Sequence, residues 1–332
     1  MTNYIAASTR GINRDNIRTI VIGQTAVDPM TTSFNNIFGN TIRYQFPNAQ
    51  PFFQCEVALG NIYLFYSWFN ITAQFGNNTF SYLWPNSAGG LTSYLVVVPD
   101  GFYSIDDLNT YFEGVQLANG TYLYAGSGGT TTTIPVYFLT FASNSAYYRT
   151  TVTSLLLPTA AGEAAAGYNT PPGYAPAAGG ALPPVATYPE LVINATNAPA
   201  GSVTPGQYSF SKTLGISPGP YPPPSFTTGT LYNINGQFAP VIESTSNVLV
   251  TTNLVLTNGL SRIAQVLYSL APPPGVPFGG QIQEKPFFPL FMQVADGNYE
   301  SIIIQIQDEN GTPLNIQDPH INLILLIRGG GG

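Results

Sequence analysis

The sequence predicts an all-β protein, a sandwich or a barrel, on three observations. Short β-branched and aromatic runs recur from end to end, Gly, Pro and Asn punctuate them, and helical periodicity is scarce. A length of 332 residues suits one large β-domain or two smaller ones. Charged residues make up 8% of the chain, against a usual ~25%, so much of the surface must be uncharged.

In order, the first half offers strands at 17–23 (IRTIVIG), 41–47 (TIRYQFP), 55–69 (CEVALGNIYLFYSWF), 79–84 (TFSYLW), 93–99 (SYLVVVP), 135–141 (PVYFLTF) and 147–158 (YYRTTVTSLLLP). The second half adds 190–194 (ELVIN), 207–216 (QYSFSKTLGI), 230–234 (TLYNI), 247–256 (NVLVTTNLVL), 287–294 (FFPLFMQV), 301–307 (SIIIQIQ) and 321–328 (INLILLIR). Two short helices interrupt them. At 104–114, Ser104 and Asp107 form a capping-box signature, Ile105, Leu108 and Phe112 share a face, and Gly114 is placed to end the helix. At 260–274, Ile263, Val266, Leu267 and Leu270 make an apolar stripe that Pro272 stops.

In 301–307, Ile302, Ile304 and Ile306 share one face and Ile303, Gln305 and Gln307 the other, so one side is core and the other half polar. The stretch DENGTP that follows (308–313) reads as a hairpin turn, since Asn310-Gly311 accepts positive φ. A calcium loop would need further oxygen ligands and a distal Glu, which the sequence lacks. In the last strand, Ile321, Leu323, Leu325 and Ile327 lie opposite Ile324 and Leu326, and in 57–69, Val57, Leu59, Tyr63, Phe65 and Phe69 lie opposite Ile62, Leu64, Tyr66 and Trp68. Both faces are apolar. At roughly 25 cal/mol per Å² of apolar surface, wetting the second faces would cost several kcal/mol per strand. They must be covered, by the chain's own loops or by other subunits.

The stretch 158–189, rich in Ala, Pro and Gly, forms neither an ordinary strand nor a long helix, because its prolines lack donors and its glycines raise the entropic cost of order. It is expected to lie extended along a surface, as is 215–229 (GISPGPYPPPSFTTG). It divides the chain into an N-terminal lobe at 1–157 and a C-terminal lobe at 190–332.

Chemistry is hard to find. Cys55, the one cysteine, excludes an internal disulfide and a CxxC zinc site and reads as a buried thiol. His320, the one histidine, has no nucleophile motif beside it. The Gly-rich runs 125–133 and 329–332 lack the Lys and strand-to-helix context of phosphate loops. Asp106 and Asp107 are explained by the helix dipole. A glycosidase pair drawn from Asp100, Glu243, Asp296 and Glu300 is one enzymatic option. A glycan-binding sandwich of viral fibre or lectin type, with Trp68 or Trp84 as platforms, is the main alternative function. Nine basic against sixteen acidic residues give a net charge of −7, and only Arg10, Arg14 and Arg18 cluster, which disfavours a specific nucleic-acid surface. The N-terminal residues carry no apolar leader-like run and no long apolar span occurs, so synthesis in a cytoplasm is expected. The sequons at Asn70, Asn77, Asn119, Asn194 and Asn310 read as turn chemistry.

The stretches NTIRYQFPNAQPFFQCEVALGNIYLFYSWFNIT, GNNTFSYLWP, VVVPDGFYSIDDLNTYF, YSFSKTLGI and YESIIIQIQDENGTPLNIQDPHINLILLIR resemble minor capsid and vertex (penton-like) proteins of icosahedral double-stranded DNA viruses of the jelly-roll lineage, including polinton-like viruses, virophages and large algal viruses. The likeness spans most of the chain except 158–189. It implies a jelly-roll β-sandwich, with two jelly-roll lobes or one jelly roll carrying a large insertion. It further implies assembly with the major capsid protein and other capsid subunits, homo-oligomers, a place in the virion after assembly in the host cytoplasm, and no catalytic residue, cofactor or metal.

Overall fold

The computed structural model describes residues 17–24, 41–73, 75–126, 133–174, 181–193, 209–226, 229–242, 245–256, 265–273, 275–318 and 320–329. They fall into two compact units, one made by the chain up to Trp68 and again from Thr245, the other by Phe69–Ser244.

The chain begins with β1 (Ile17–Gln24), β2 (Thr41–Phe52) and β3 (Cys55–Phe65). Then come β4 (Thr79–Pro85), β5 (Leu91–Val97), α1 (Ile105–Ala118), β6 (Leu123–Ala125), β7 (Pro135–Val136), β8 (Leu139–Asn144) and β9 (Arg149–Leu155). They are followed by β10 (Tyr168–Asn169), β11 (Glu190–Ile193), α2 (Phe210–Leu214), β12 (Gly219–Tyr221) and β13 (Leu231–Asn235). It closes with β14 (Val248–Thr252), β15 (Val266–Leu270), β16 (Gln281–Glu284), β17 (Met292–Gln293), β18 (Gly297–Asp308) and β19 (Ile321–Gly329).

In the first unit, β1 pairs with β19, β2 with β18, β3 with β16 and β14 with β15, all antiparallel. That is one long hairpin folded at its middle. Rolling it up adds β19 to β3 and β18 to β14, which gives the sheets β1-β19-β3-β16, with β17 also on β3, and β15-β14-β18-β2. This interleaving is a jelly roll, and its sequence opens between β3 and β14 to admit the whole second unit. The strand order describes one jelly roll with a large insertion, the alternative, rather than the two jelly-roll lobes first expected. Leu323 and Leu325 of β19 and Ile302, Ile304 and Ile306 of β18 are buried on the faces predicted, with Val248 and Val250 of β14. In β3, Val57 and Leu59 are buried together with Ile62 and Leu64, which were expected on opposite faces, because the ladder to β19 skips Gly60 and the facing of the strand switches there. The register slips between Ile324 and Leu325, beside Gly60, where a Cβ would meet Leu326 Cγ at 3.1 Å.

Two segments here depart from expectation. Val266–Leu270 is strand rather than helix: Val266, Tyr268, Ser269 and Leu270 pair along β14, Leu267 and Leu270 are buried, and Gln265 at φ 78 breaks any helical run into it. Ile263 and the rest of 257–264 lie outside the described residues. In 287–294 only Met292–Gln293 is strand, because Pro286 and Pro289 deny the preceding stretch ladder donors.

The second unit is assembled from hairpins, in the sheets β12-β11-β4-β5, β13-β9-β8 and β10-β6-β7. Its core is aromatic. Phe80 stacks on Phe210 at 4.5 Å, Phe112 of α1 stacks on Phe141 of β8 at 5.6 Å, and Trp84 meets Phe138 edge-on at 6.1 Å. The capping box of α1 is formed, with Asp107 N–H donating to Ser104 Oγ and Ser104 N–H to Asp107 Oδ2. The helix continues through Gly114, whose Cβ position is open, and ends at Asn119 followed by Gly120 at φ +66. The strand expected at 207–216 is instead helix α2, with Ser209 capping its start and Gly215 in the left-handed conformation at its end. The expected lobe boundaries at 157 and 189 both fall inside this unit, since β11 pairs β4 and β13 pairs β9 across them. The apolar stretch between them is held by its own unit: Leu157 bridges Thr187, and Tyr174, Leu182 and Tyr188 are buried in the aromatic core.

Candidate functional site

Most of the described residues with chemical potential are occupied in holding the fold. Cys55 is buried, its thiol donates to Phe53 O at 3.4 Å, and burial pushes its pKa up, away from thiolate chemistry. His320 is exposed on the turn before β19, with Nδ1 2.7 Å from Asp318 Oδ1. Asp100 Oδ1 accepts the Ala73 N–H and Asp296 Oδ1 the Gln54 N–H, both at 2.7 Å, while Glu300 is exposed along β18. Asp106 accepts from the Ser143 amide and hydroxyl. Glu243, Arg10, Arg14, Asn194 and the runs 127–132 and 330–332 lie outside the described residues; Arg18 is exposed on β1.

The DENG stretch is a turn. Asp308 Oδ1 accepts the amides of Asn310 at 2.9 Å and Thr312 at 2.7 Å, and Gly311 sits at φ +79. Among the described residues no three of His, Cys, Asp and Glu converge as a metal site would require, and no helix is long and apolar enough to cross a membrane. The sequon asparagines Asn70 and Asn77 are buried: Asn70 Nδ2 donates to Tyr103 O and Ile242 O, and Asn77 Nδ2 to Asn70 O. Neither indole is a platform for a sugar, because Trp68 and Trp84 are both buried in their cores.

What the molecule does expose is apolar surface. In the first unit the outer face of the β1-β19-β3 sheet carries Ile17 and Val21, about half exposed, across from Arg328 and Ile324, with Leu326 half-buried between them. At the far side of the same sheet, the loop from β16 to β17 runs KPFFPLF. Both flanking strands pair with β3, which fixes the ends of the loop. Arg328 bonds the Glu56 carboxylate and lies 3.8 Å over the Phe291 ring, pinning the loop's last aromatic. Phe287, Phe288 and Leu290, by contrast, stand 89%, 79% and 64% exposed, the two phenylalanine rings edge to face at 4.6 Å. Sequence reasoning placed these three in a strand; the prolines on either side of Phe287-Phe288 were the signal that this apolar run is displayed rather than buried. An exposed apolar projection of this kind, anchored at both ends, suits a protein–protein contact.

No family model and no curated protein matches the chain. Among solved structures the chain is similar to the mavirus penton protein, at 11% identity and a TM-score of 0.39, covering 95% of this chain and 98% of that one. It is also similar to a chain in the structure of the Sputnik virophage, at 9% identity and a TM-score of 0.37, covering 94% and 97%.

Proposed function

We propose that this chain is a structural subunit of an icosahedral virus shell, a minor capsid or vertex protein that binds neighbouring capsomers through apolar sheet faces and loops and performs no catalysis. The observation that carries the reading is the pinned loop that leaves Phe287, Phe288 and Leu290 in solvent. Fully burying a side chain of this size contributes about 1.5–3 kcal/mol, so three at one contact favour association strongly. The aliphatic stripe of Ile17 and Val21, about half exposed, with the partly buried Ile324 beside them, extends the same logic to the sheet, and a chain with 8% charged residues offers little to keep such surfaces apart. Its partners on this reading are the major capsid protein, other shell subunits and further copies of itself, met in the virion after assembly in the host cytoplasm. Cryo-electron microscopy of assembled particles tests it. Density for this jelly roll at a five-fold vertex or beneath the capsomers is the expected result; particles without it, or a stably monomeric chain with hydrolase turnover, would overturn it.

A further inference from the structure

Among the described residues, the second unit has an edge strand that only one side chain closes, and only at one end. β5 is outermost in the sheet β12-β11-β4-β5. The Val98 amide donates to Asn78 O on the β4 side, at 2.7 Å. Main-chain groups alternate along a strand, so those of Leu91, Ser93, Leu95 and Val97 point to the open side. Val97 O is taken by the Tyr111 hydroxyl at 2.7 Å, which leaves Leu91, Ser93 and Leu95 as the free stretch. The side chains on their outward face are also exposed, Leu91 at 38%, Leu95 at 65% and Val97 at 51%, and no charged residue occurs from Asn86 to Pro99.

Proteins blunt such edges with proline, charge or a covering element, and other edges of this chain follow the rule. β2 carries Pro47 and Pro51, β12 carries Pro220, and on β8 the amides of Phe141 and Ser143 are capped by Asn109 and Asp106 from α1. Among the described residues, β5 has none of these devices from Leu91 to Leu95. Its occupant must therefore be an uncharged extended strand with small and aliphatic side chains at alternate positions, and β5 itself meets that description. Placed antiparallel about a two-fold axis at Ser93, the strand sets Leu91 against Leu95 of the second copy and serine against serine, and the ladder stops where Tyr111 closes Val97.

We infer that two copies of this chain join β5 to β5, antiparallel and centred on Ser93. The pairing adds a self-contact to the shell role proposed above and rests on that role only for its use. The test is site-directed cross-linking of the purified full chain, whose native Cys55 is buried. A hydrogen-bonded antiparallel pair holds its Cα atoms about 5.5 Å apart, within disulfide reach. Ser93→Cys should give a disulfide-linked dimer under mild oxidation at least tenfold faster than Val97→Cys. Leu91→Cys mixed with Leu95→Cys should cross-link as a heterodimer, with neither variant linking to itself at that rate. Leu95→Lys should shift the sedimentation of the chain from dimer to monomer with an unchanged circular dichroism spectrum, and its melting temperature, unlike the parent's, should not depend on concentration. Equal rates for Ser93→Cys and Val97→Cys, or a parent chain that sediments as a monomer at its highest soluble concentration, would overturn the pairing. Because particles are not involved, that failure would leave the shell role standing, and absence from particles would leave the pairing standing.

Discussion

The indole Nε1 of Trp84 donates a hydrogen bond to the phenolic oxygen of Tyr174 across 3.0 Å, both rings buried in the aromatic core of the insertion. That bond ties a proline-rich stretch to the centre of a sheet. Tyr174→Phe keeps the ring and strands a buried N–H, which costs about 1–3 kcal/mol. Tyr174→Ala also opens a cavity and should cost about 3–5 kcal/mol. Urea unfolding followed by tryptophan fluorescence checks both.

Tyr174 and Tyr82 also set an alkaline limit. Burial pushes both phenols up to about 12, against the hydrogen bonds that Tyr174 accepts from Trp84 and that Tyr82 accepts from Asn119 and shares with Thr121. In the unfolded chain they ionise near ~10. Stability from the neutral phenols is therefore fully present below about pH 10 and is lost as pH rises toward 12. Melting temperatures measured across this range should fall steeply, and less steeply in Tyr82→Phe.

Ser104→Ala removes the N-cap of α1 and should cost about 1 kcal/mol. Hydrogen bonds from the Ser104 hydroxyl and amide hold the Asp107 carboxyl below its usual range. Its contribution is present above the ordinary carboxylate pKa and lost as pH falls through the lowered one. The variant should show a smaller loss of stability on acidification than the parent, as read by thermal melts at successive acid pH values.

Gly215 ends α2 at φ +67, and a Cβ there would press on the Phe238 carbonyl and lie 2.8 Å from Pro240 N. Conformation and space both refuse a side chain, so Gly215→Ala should destabilise by about 3 kcal/mol or more. Gly114→Ala, at an open helical position, should stabilise by up to ~1 kcal/mol. The pair of melts is its own control.

Phe287→Ser with Phe288→Ser removes apolar surface that the chain alone does not bury. The purified double variant should melt within about 0.5 kcal/mol of the parent, yet fail to sediment with particles when it replaces the native subunit.

The strands that pattern reasoning located well are those whose apolar residues alternate cleanly, such as Ile302, Ile304 and Ile306 in β18, because period two is what a half-buried sheet requires. It failed where a short apolar run satisfies two periods at once. The spacing of Val266, Leu267 and Leu270 fits a helix face as well as it fits β15, and pairing with β14 decides between them. In 207–216, β-forming Tyr, Phe and Thr outweighed Ser209 and Gly215, the two caps that bound α2. The unit boundary was hidden for a different reason. The first crossing falls between Trp68 and Phe69, within an aromatic-rich stretch that carries no Gly or Pro to mark it, while the stretch that looks like a linker sends Tyr174, Leu182 and Tyr188 into a core. Of the exposed surface, the aliphatic second face of 321–328 was legible, but Phe287 and Phe288 were not, since composition distinguishes a buried phenylalanine from a displayed one only through the prolines beside it.

The pairing of β1 with β19 joins residues such as Ile17 and Arg328 that lie almost a full chain apart. The insertion, by contrast, is one continuous run and has all its strands once Asn235 has left the ribosome. The jelly roll lacks the middle strand of a sheet until β19 emerges, so it closes only after the insertion is complete. Until then the outer face of Ile324 and Leu326 does not exist, and under the proposed shell role a half-made chain has no such surface with which to enter an assembly prematurely.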